Sequence, residues 1–213
     1  MNIGIIGTGE VGSALGRLWA AKGHAVMFGS RDPQSPKVRA LLGAIGGARA
    51  GSAREAAQFG TVIVLATPFH ATEAAIRTAG NLSGKIVVDA TNPLNADTPP
   101  SGLTVGLTTS AAEHIAAWAP GARVVKGFNT LGARLFGDPV FDGQAASMFL
   151  CSDDAEAKRV VAGLAAELGF DVVDAGPLVN ARWLEPLAML WIKLSLAQGM
   201  RPIAFKLLRR SGQ

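Results

Sequence analysis

Tyrosine is absent from the 213 residues, cysteine occurs once and histidine three times. Without tyrosine, the Tyr/Lys proton relay of short-chain dehydrogenases cannot be built. A single cysteine excludes a disulfide framework and a cysteine metal site, and Cys151, inside the apolar run "ASMFLCS", reads as a small buried hydrophobe. His24, His70 and His114 are scattered without zinc-ligand spacing, so no metal is expected. His24 falls on a turn before a strand and His114 on a helical pattern near Trp118, which makes both structural. Neither a Walker lysine motif nor a G-x-S-x-G elbow is present. No apolar run is long enough to cross a membrane: "LAMLWIKLSLAQG" is short and Lys193 interrupts it. A basic stripe interleaved with aromatics is also missing. Lys and Arg number 20 against 16 Asp and Glu, net +4, a balance suited to anionic small molecules rather than nucleic acid. The chain enters "NIGIIG" without a basic leader or cleavage site, which sets the expectation of a reducing cytoplasm.

What is present is a well-patterned α/β chain. Apolar residues make up 49%, enough for a sizeable core. Continuous apolar runs at residues 2–6, 25–28, 61–66, 85–90, 123–128, 146–151 and 170–175 predict strands covered on both faces. Helical patterns separate them. Ser52 with Glu55 and Ser110 with Glu113 have capping-box spacing, and Ser35 before Pro36 marks another helix start. The alternation predicts a doubly wound, mostly parallel sheet. The Gly-, Asp- and Pro-rich segment 136–144 suggests a boundary: residues 1–140 as a dinucleotide-binding domain, and residues 141–213 as a small C-terminal region of one β-α-β pattern and an all-apolar helix around 183–196.

Gly7-Thr8-Gly9-Glu10-Val11-Gly12 fits G-x-G-x-x-G, preceded by a strand, followed by an amphipathic helix and leading into a second strand. The first glycine permits the tight turn, the second admits a pyrophosphate, and the third lets helix and strand pack closely. Asp32 lies near the distance at which NAD enzymes place a ribose-binding acid, yet the strand ends at Phe28 and the loop begins Gly29-Ser30-Arg31. Asp32 before Pro33 is better read as a turn former, while Arg31 and Ser30 suit a 2′-phosphate. The cofactor expected is NADP.

The other loops at strand ends, "ATPFH" (Ala66, Thr67, Pro68, Phe69, His70), "DATNPL" with Ala90 and Asn92, "GFNT" with Asn129, and "DAGPL" with Gly176, are expected to converge on the same crevice. His70 reads as a pocket-lining histidine rather than a catalytic acid. No catalytic residue is assigned. A clear cofactor pocket with sparse acid-base equipment fits direct hydride transfer between a nicotinamide and a second redox ring, a small-molecule acceptor in a shallow cleft roofed by the C-terminal helices. Two other readings stay open: a non-catalytic NADP-sensing module, and a small imine or hydroxyacid reductase using Lys193 or His70. Glu185, among apolar neighbours in "WLEPL", is expected to accept from loop amides.

The segments "GIIGTGEVGSALG", "FGSRDP", "VVDATNPL", "VKGFNTLGA" and "DAGPLVNARWLEPLAMLWIKLSLAQGMRPIAFKLL" resemble the coenzyme F420-dependent NADP reductases over essentially the whole chain. The pattern is also similar to the cytosolic domain of the STEAP metalloreductases. The resemblance implies that Thr8, Ser30 and Arg31 hold the region of the NADP 2′-phosphate. It further implies that a deazaflavin lies against the nicotinamide in an apolar cleft and that the chain forms a homodimer. The implied acceptor is coenzyme F420, with a flavin used to reduce ferric iron or quinones as the alternative.

Overall fold

The structure, a computed structural model, describes residues 1–98 and 100–210. In chain order its strands are β1 (Asn2–Ile6), β2 (Ala25–Gly29), β3 (Arg49–Gly51), β4 (Val62–Leu65), β5 (Ile86–Asp89), β6 (Arg123–Lys126), β7 (Val140–Phe141), β8 (Gln144–Ala145), β9 (Ser147–Leu150) and β10 (Asp171–Asp174). The helices are α1 (Glu10–Ala21), α2 (Pro36–Gly43), α3 (Ala53–Phe59), α4 (Phe69–Ala79), α5 (Ala111–Trp118), α6 (Ala155–Ala166) and α7 (Ala181–Ile192), the last continuing into a π-turn at Lys193–Ala197.

Six strands form one parallel sheet in the order β3-β2-β1-β4-β5-β6. Successive side chains point to opposite faces, and both faces are apolar. Ile3, Ile5, Val62, Val64, Ile86, Val88 and Val125 meet α1 and α6, including Leu15, Trp19, Val161 and Leu164. Ile6, Ile63, Leu65, Val87 and Val124 meet α3, α4, α5 and the start of α7. This is the Rossmann-like arrangement the apolar runs predicted. The short edge strand β3 was not anticipated, because "RAG" carries no apolar run.

Helix starts follow the chemistry of their caps. Ser52 accepts from the Glu55 amide while the Glu55 carboxylate accepts from the Ser52 amide, closing a capping box. Ser35 and Ser110 cap α2 and α5, and Asp154 caps α6.

One expectation, the place of Gly176 in the crevice, needs correction because of how the strands after residue 144 run. The segment 136–144 leads into the β7–β8 hairpin, Val140 pairing with Ala145, and the end of β9 then meets the sheet at an antiparallel bridge between Lys126 and Cys151. Strands β9 and β10 are parallel to each other and so run opposite to β6. The Ser152 hydroxyl donates to the carbonyl of Val124 and the Ser152 amide to that of Gly176, which places Gly176 at the N-terminal edge of the main sheet, away from the crevice. Met148, Leu150, Val161 and Leu164 join the same apolar cluster as Ile3, Val64 and Val88, so one core runs across residue 140. Helix α7 is covered on one side by the rest of the chain. Leu184, Glu185, Ala188 and Ile192 are buried, whereas Trp183 is 64% and Leu190 49% exposed.

Among the described residues no helix is long and apolar enough to cross a membrane. Cys151 is fully buried, its thiol donates to the Leu178 carbonyl at 3.7 Å, and burial pushes its pKa up to about 12. Iodoacetamide near pH 8 should therefore leave the folded protein unlabelled and modify Cys151 once urea unfolds the chain, since the thiolate is the reactive form. Labelling of the native protein at the rate of a free thiol, followed by mass spectrometry, would contradict this burial.

Candidate functional site

The crevice lies at the C-terminal ends of β1, β2, β4, β5 and β6, and its centre is the glycine turn. Gly7 has φ +121°, and a Cβ there would stand 2.4 Å from the carbonyl oxygen of Ala66, so no other residue fits without moving backbone. Its amide donates to the Gly29 carbonyl, tying the turn to the end of β2. A Cβ on Gly12 would stand 2.2 Å from the Gly7 carbonyl oxygen, whereas one on Gly9 would meet nothing within 4 Å. Gly7 and Gly12 are therefore required by packing. Gly9 faces open space at the start of α1.

That start is informative. Helices α2, α3, α5 and α6 have side-chain caps, but α1, after Gly9, α4, after Pro68, and α7, after a 3₁₀ turn, have none. Of these, α1 and α4 leave the central strands β1 and β4 directly into the crevice. Free amides and the positive end of a helix are what an anionic group needs. Glu10, in the first turn of α1, is exposed and lies 3.7 Å from Arg134, a solvent-facing pair. Thr8 and Val11 are half-buried along the turn.

At the end of β2, the Asp32 carboxylate accepts from the Gln34 amide, and the Asp32 amide and carbonyl both bond to the Ser30 hydroxyl. Asp32 thus closes its own turn. Arg31 beside it is exposed and makes no ion pair among the described residues.

Past β4, the Thr67 and Thr72 hydroxyls bond to each other at 2.9 Å and Thr72 donates to the Pro68 carbonyl, so the Ala66–Thr67–Pro68 turn is rigid. Phe69 stacks on Trp118 at 5.6 Å and meets His114 edge-on, so its ring is taken up against α5; His70 is exposed. Past β5 and β6, Asn92 donates to the Asn129 carbonyl, and the Asn129 amide nitrogen donates to Asn92 Oδ1 and to the Leu184 carbonyl. Asn129 Oδ1 is buried without a partner. Phe128, just before it, has φ +58°, a strained value for a bulky residue. Its ring is fixed by Trp19, Phe136 and Phe170 with centroids 5.5, 5.9 and 6.3 Å away. Packing therefore holds the turn that presents Asn129. Ala90 is buried beside this pair, and Gly176, as shown above, is not part of the site.

Beneath the two asparagines lies a cluster that sequence reasoning largely missed. The Lys126 ammonium is fully buried, and its three donors are used by Asp89 at 2.8 Å, Glu185 at 3.0 Å and the Thr91 carbonyl at 2.7 Å. Asp89 also accepts from the Thr91 amide, and Glu185 accepts from the Ala111 and Ala112 amides at the start of α5. Burial disfavours the charged form of Lys126, but the two carboxylates outweigh this and its pKa lies above the ordinary lysine value. The signal available in sequence was slight: "IVVD" and "RVVK" end adjacent strands with opposite charges, and Asp89 and Lys126 are register partners.

Next to this cluster an apolar groove of about 580 Å³ runs between the loop 103–107 and α7, lined by Leu103, Val105, Leu107, Pro186, Met189 and Leu190, with Thr104, Gly106 and Lys193 completing it. It adjoins the asparagine pair, since Leu103 bridges to Leu94 just past Asn92 and Leu184 receives the bond from Asn129.

A parallel sheet of this order with an uncapped helix at its glycine turn defines a Rossmann-type dinucleotide-binding protein. The family model "NADP oxidoreductase coenzyme F420-dependent" matches residues 2–93. An F420-dependent NADP reductase from Methanothermobacter thermautotrophicus is 31% identical over 216 residues, covering 94% of this chain and 92% of that protein. A crystal structure of an Arthrobacter protein classed with the F420-dependent NADP reductases superposes with a TM-score of 0.90 at 36% identity, covering 98% of this chain and all of the other. Metalloreductase STEAP3 of Rattus norvegicus is 30% identical over 187 residues, 88% of this chain, and the chain spans only 36% of that longer protein. The chain belongs to the F420-dependent NADP reductase family and is an NADP-dependent oxidoreductase.

Two outcomes follow from this geometry. Replacing Lys126 by Met leaves Asp89 and Glu185 buried without their cation and should lower unfolding free energy in urea by about 3–5 kcal/mol, whereas Glu185→Gln should leave a folded enzyme that still turns over. Collapse of turnover in a folded Glu185→Gln variant would make that carboxylate more than an anchor. Arg31→Ala should weaken NADPH binding by about 1.5–3 kcal/mol and leave NADH little changed, as measured by calorimetric titration; equal losses for both would show that Arg31 does not read the 2′-phosphate.

Proposed function

We propose that the chain transfers a hydride directly between NADP(H) and coenzyme F420, the nicotinamide supplying or taking the hydride and the deazaflavin acting as its partner. The observation that carries this reading is the apolar groove beside Asn92 and Asn129, next to buried ionisable groups that are already committed to one another. A ring-to-ring hydride transfer needs alignment and exclusion of water more than a proton donor.

In this reading Gly9 and the start of α1 receive the pyrophosphate. Ser30 and Arg31 hold the 2′-phosphate, and the turns at Thr67–Pro68 and Ala90–Asn92 flank the nucleotide. The unpartnered Asn129 Oδ1 is available to accept from a carboxamide, which would fix the face that the nicotinamide shows to the groove. Leu103, Val105, Met189 and Leu190 keep water from the second ring. The same reading has the enzyme work in the cytoplasm as a homodimer, with a second copy covering Trp183 and Leu190 on the open side of α7.

A second reading is a flavin-dependent ferric reductase, favoured by the likeness to STEAP3. Stopped-flow oxidation of NADPH with coenzyme F420, with FMN plus a ferric chelate, and with no acceptor separates them. Fast turnover is expected with the deazaflavin. Turnover with flavin and iron alone would select the second reading, and NADPH binding without turnover by any acceptor would point to a sensing module.

A further inference from the structure

The groove has a polarity that its apolar lining does not require. From 102 to 110 on one wall, "GLTVGLTTS", and from 186 to 201 on the other, "PLAMLWIKLSLAQGMR", there is no Asp or Glu, although the chain contains 16 acidic residues. The second wall carries two cations. Lys193 lines the groove where α7 passes into the π-turn, and it has no ion-pair partner among the described residues. Arg201 is tied to the same turn by its Nε bond to the Ser195 carbonyl. Elsewhere the half-buried basic groups are satisfied: Lys158 pairs with Asp174, Arg123 with Asp154 and Arg182 with Glu113, and Lys85 donates to the Gly60 carbonyl.

The π-turn is where the helix departs from regular hydrogen bonding, a device that recurs at binding sites. Here it rests on firm anchors. Trp191 donates to the Ile203 carbonyl, and the Gln198 amide donates to the Lys193 carbonyl. The backbone at Lys193 is therefore held while its side chain keeps its charge unmatched at the mouth of a half-apolar groove. An unmatched cation in such a place gains most from an anionic ligand group, because the partly desolvated setting strengthens the pair.

We infer that Lys193 is a specificity residue for the acceptor: the groove takes a flat ring whose side chain ends in a phosphate or carboxylate, and Lys193 pairs with that anion. This rests on the groove being the acceptor site. The ring fills the space between Leu103, Val105, Pro186 and Met189, and the anionic side chain leaves along the 193–201 turn, with Arg201 adding long-range attraction. An acceptor with the same ring and an uncharged side chain would lack the second contact.

FMN and riboflavin share one ring system and differ by the phosphate, which makes them the probes. Their binding is measured by quenching of flavin fluorescence, with NADP+ saturating so that the glycine turn and Arg31 are already occupied. The expected result is FMN binding at least about tenfold more tightly than riboflavin, the scale of one charge-assisted hydrogen bond. Lys193→Met should bring that ratio close to one, and Lys193→Arg should preserve it. Rising salt should narrow it, as for a partly exposed pair. Equal affinity for the two flavins in the unaltered protein, or a ratio that survives in Lys193→Met, would overturn the inference. Because the readout is binding, it is separable from the functional reading: a phosphate preference without NADPH oxidation by any ring would keep the anion subsite and remove the reductase proposal.

Discussion

The buried ammonium of Lys126 is the joint on which the rest of this site depends. A lysine removed from water must use all three donors, and the partners that satisfy it come from different elements: Asp89 at the end of β5, the Thr91 carbonyl in the following loop, and Glu185 on α7. Glu185 in turn satisfies two amides at the start of α5, which would otherwise be unpaired at a buried helix end. One cation thus fixes the relative positions of two strands, a loop and two helices. Desolvation makes such a cluster a modest contributor to stability, and its value lies in geometry. Each member has few alternative positions that leave no charge unpaired. Glu113 and Arg182 add an outer tie between the same two helices, and the Arg182 guanidinium holds the Glu113 carboxyl below its ordinary pKa.

In the proposed reading, this joint connects the nucleotide half of the crevice to the groove that takes the acceptor. The asparagine pair stands directly above it, with Asn129 reaching to the carbonyl of Leu184, one residue before Glu185. The next turn of α7 forms the wall of the apolar groove through Pro186, Met189 and Leu190. A shift of α7 would move the asparagines and the groove together. The wall is anchored by charge on one side and by core packing of Ala188 and Ile192 on the other, the rigidity that the proposed transfer between two rings would need.

The crevice is also organised by what its helices lack. Helices α1 and α4, which start at the crevice, have no side-chain caps, so their amides stay free for a ligand, while α2, α3, α5 and α6 are closed by Ser35, Ser52, Ser110 and Asp154. The reversed strands β9 and β10 serve a different end. They extend the core past β6, and the chain after α7 returns to the same edge, where the Ser147 amide donates to the Phe205 carbonyl and Lys206 pairs with Asp171. The C-terminal segment thereby helps fix the π-turn that carries Lys193.

Read alone, the sequence determined the parts whose cause is local. Continuous apolar runs marked the strands, Ser52 and Ser110 marked their helices, the glycine turn declared its spacing, and Asp32 before Pro33 announced a turn, because each depends on residues a few positions apart. Tertiary structure decided the rest. Gly176 looked like a crevice residue because local pattern does not encode strand direction, and the reversal appears only when Cys151 bridges Lys126. The helix α7 read as apolar all round, and composition does not say which side meets the core. Asp89, Lys126 and Glu185 lie 37 and 59 positions apart and looked like unrelated charges at the ends of apolar stretches. Periodicity reports which residues avoid water. The partner that makes a buried charge tolerable is supplied by a distant part of the chain, and only folding brings it within reach.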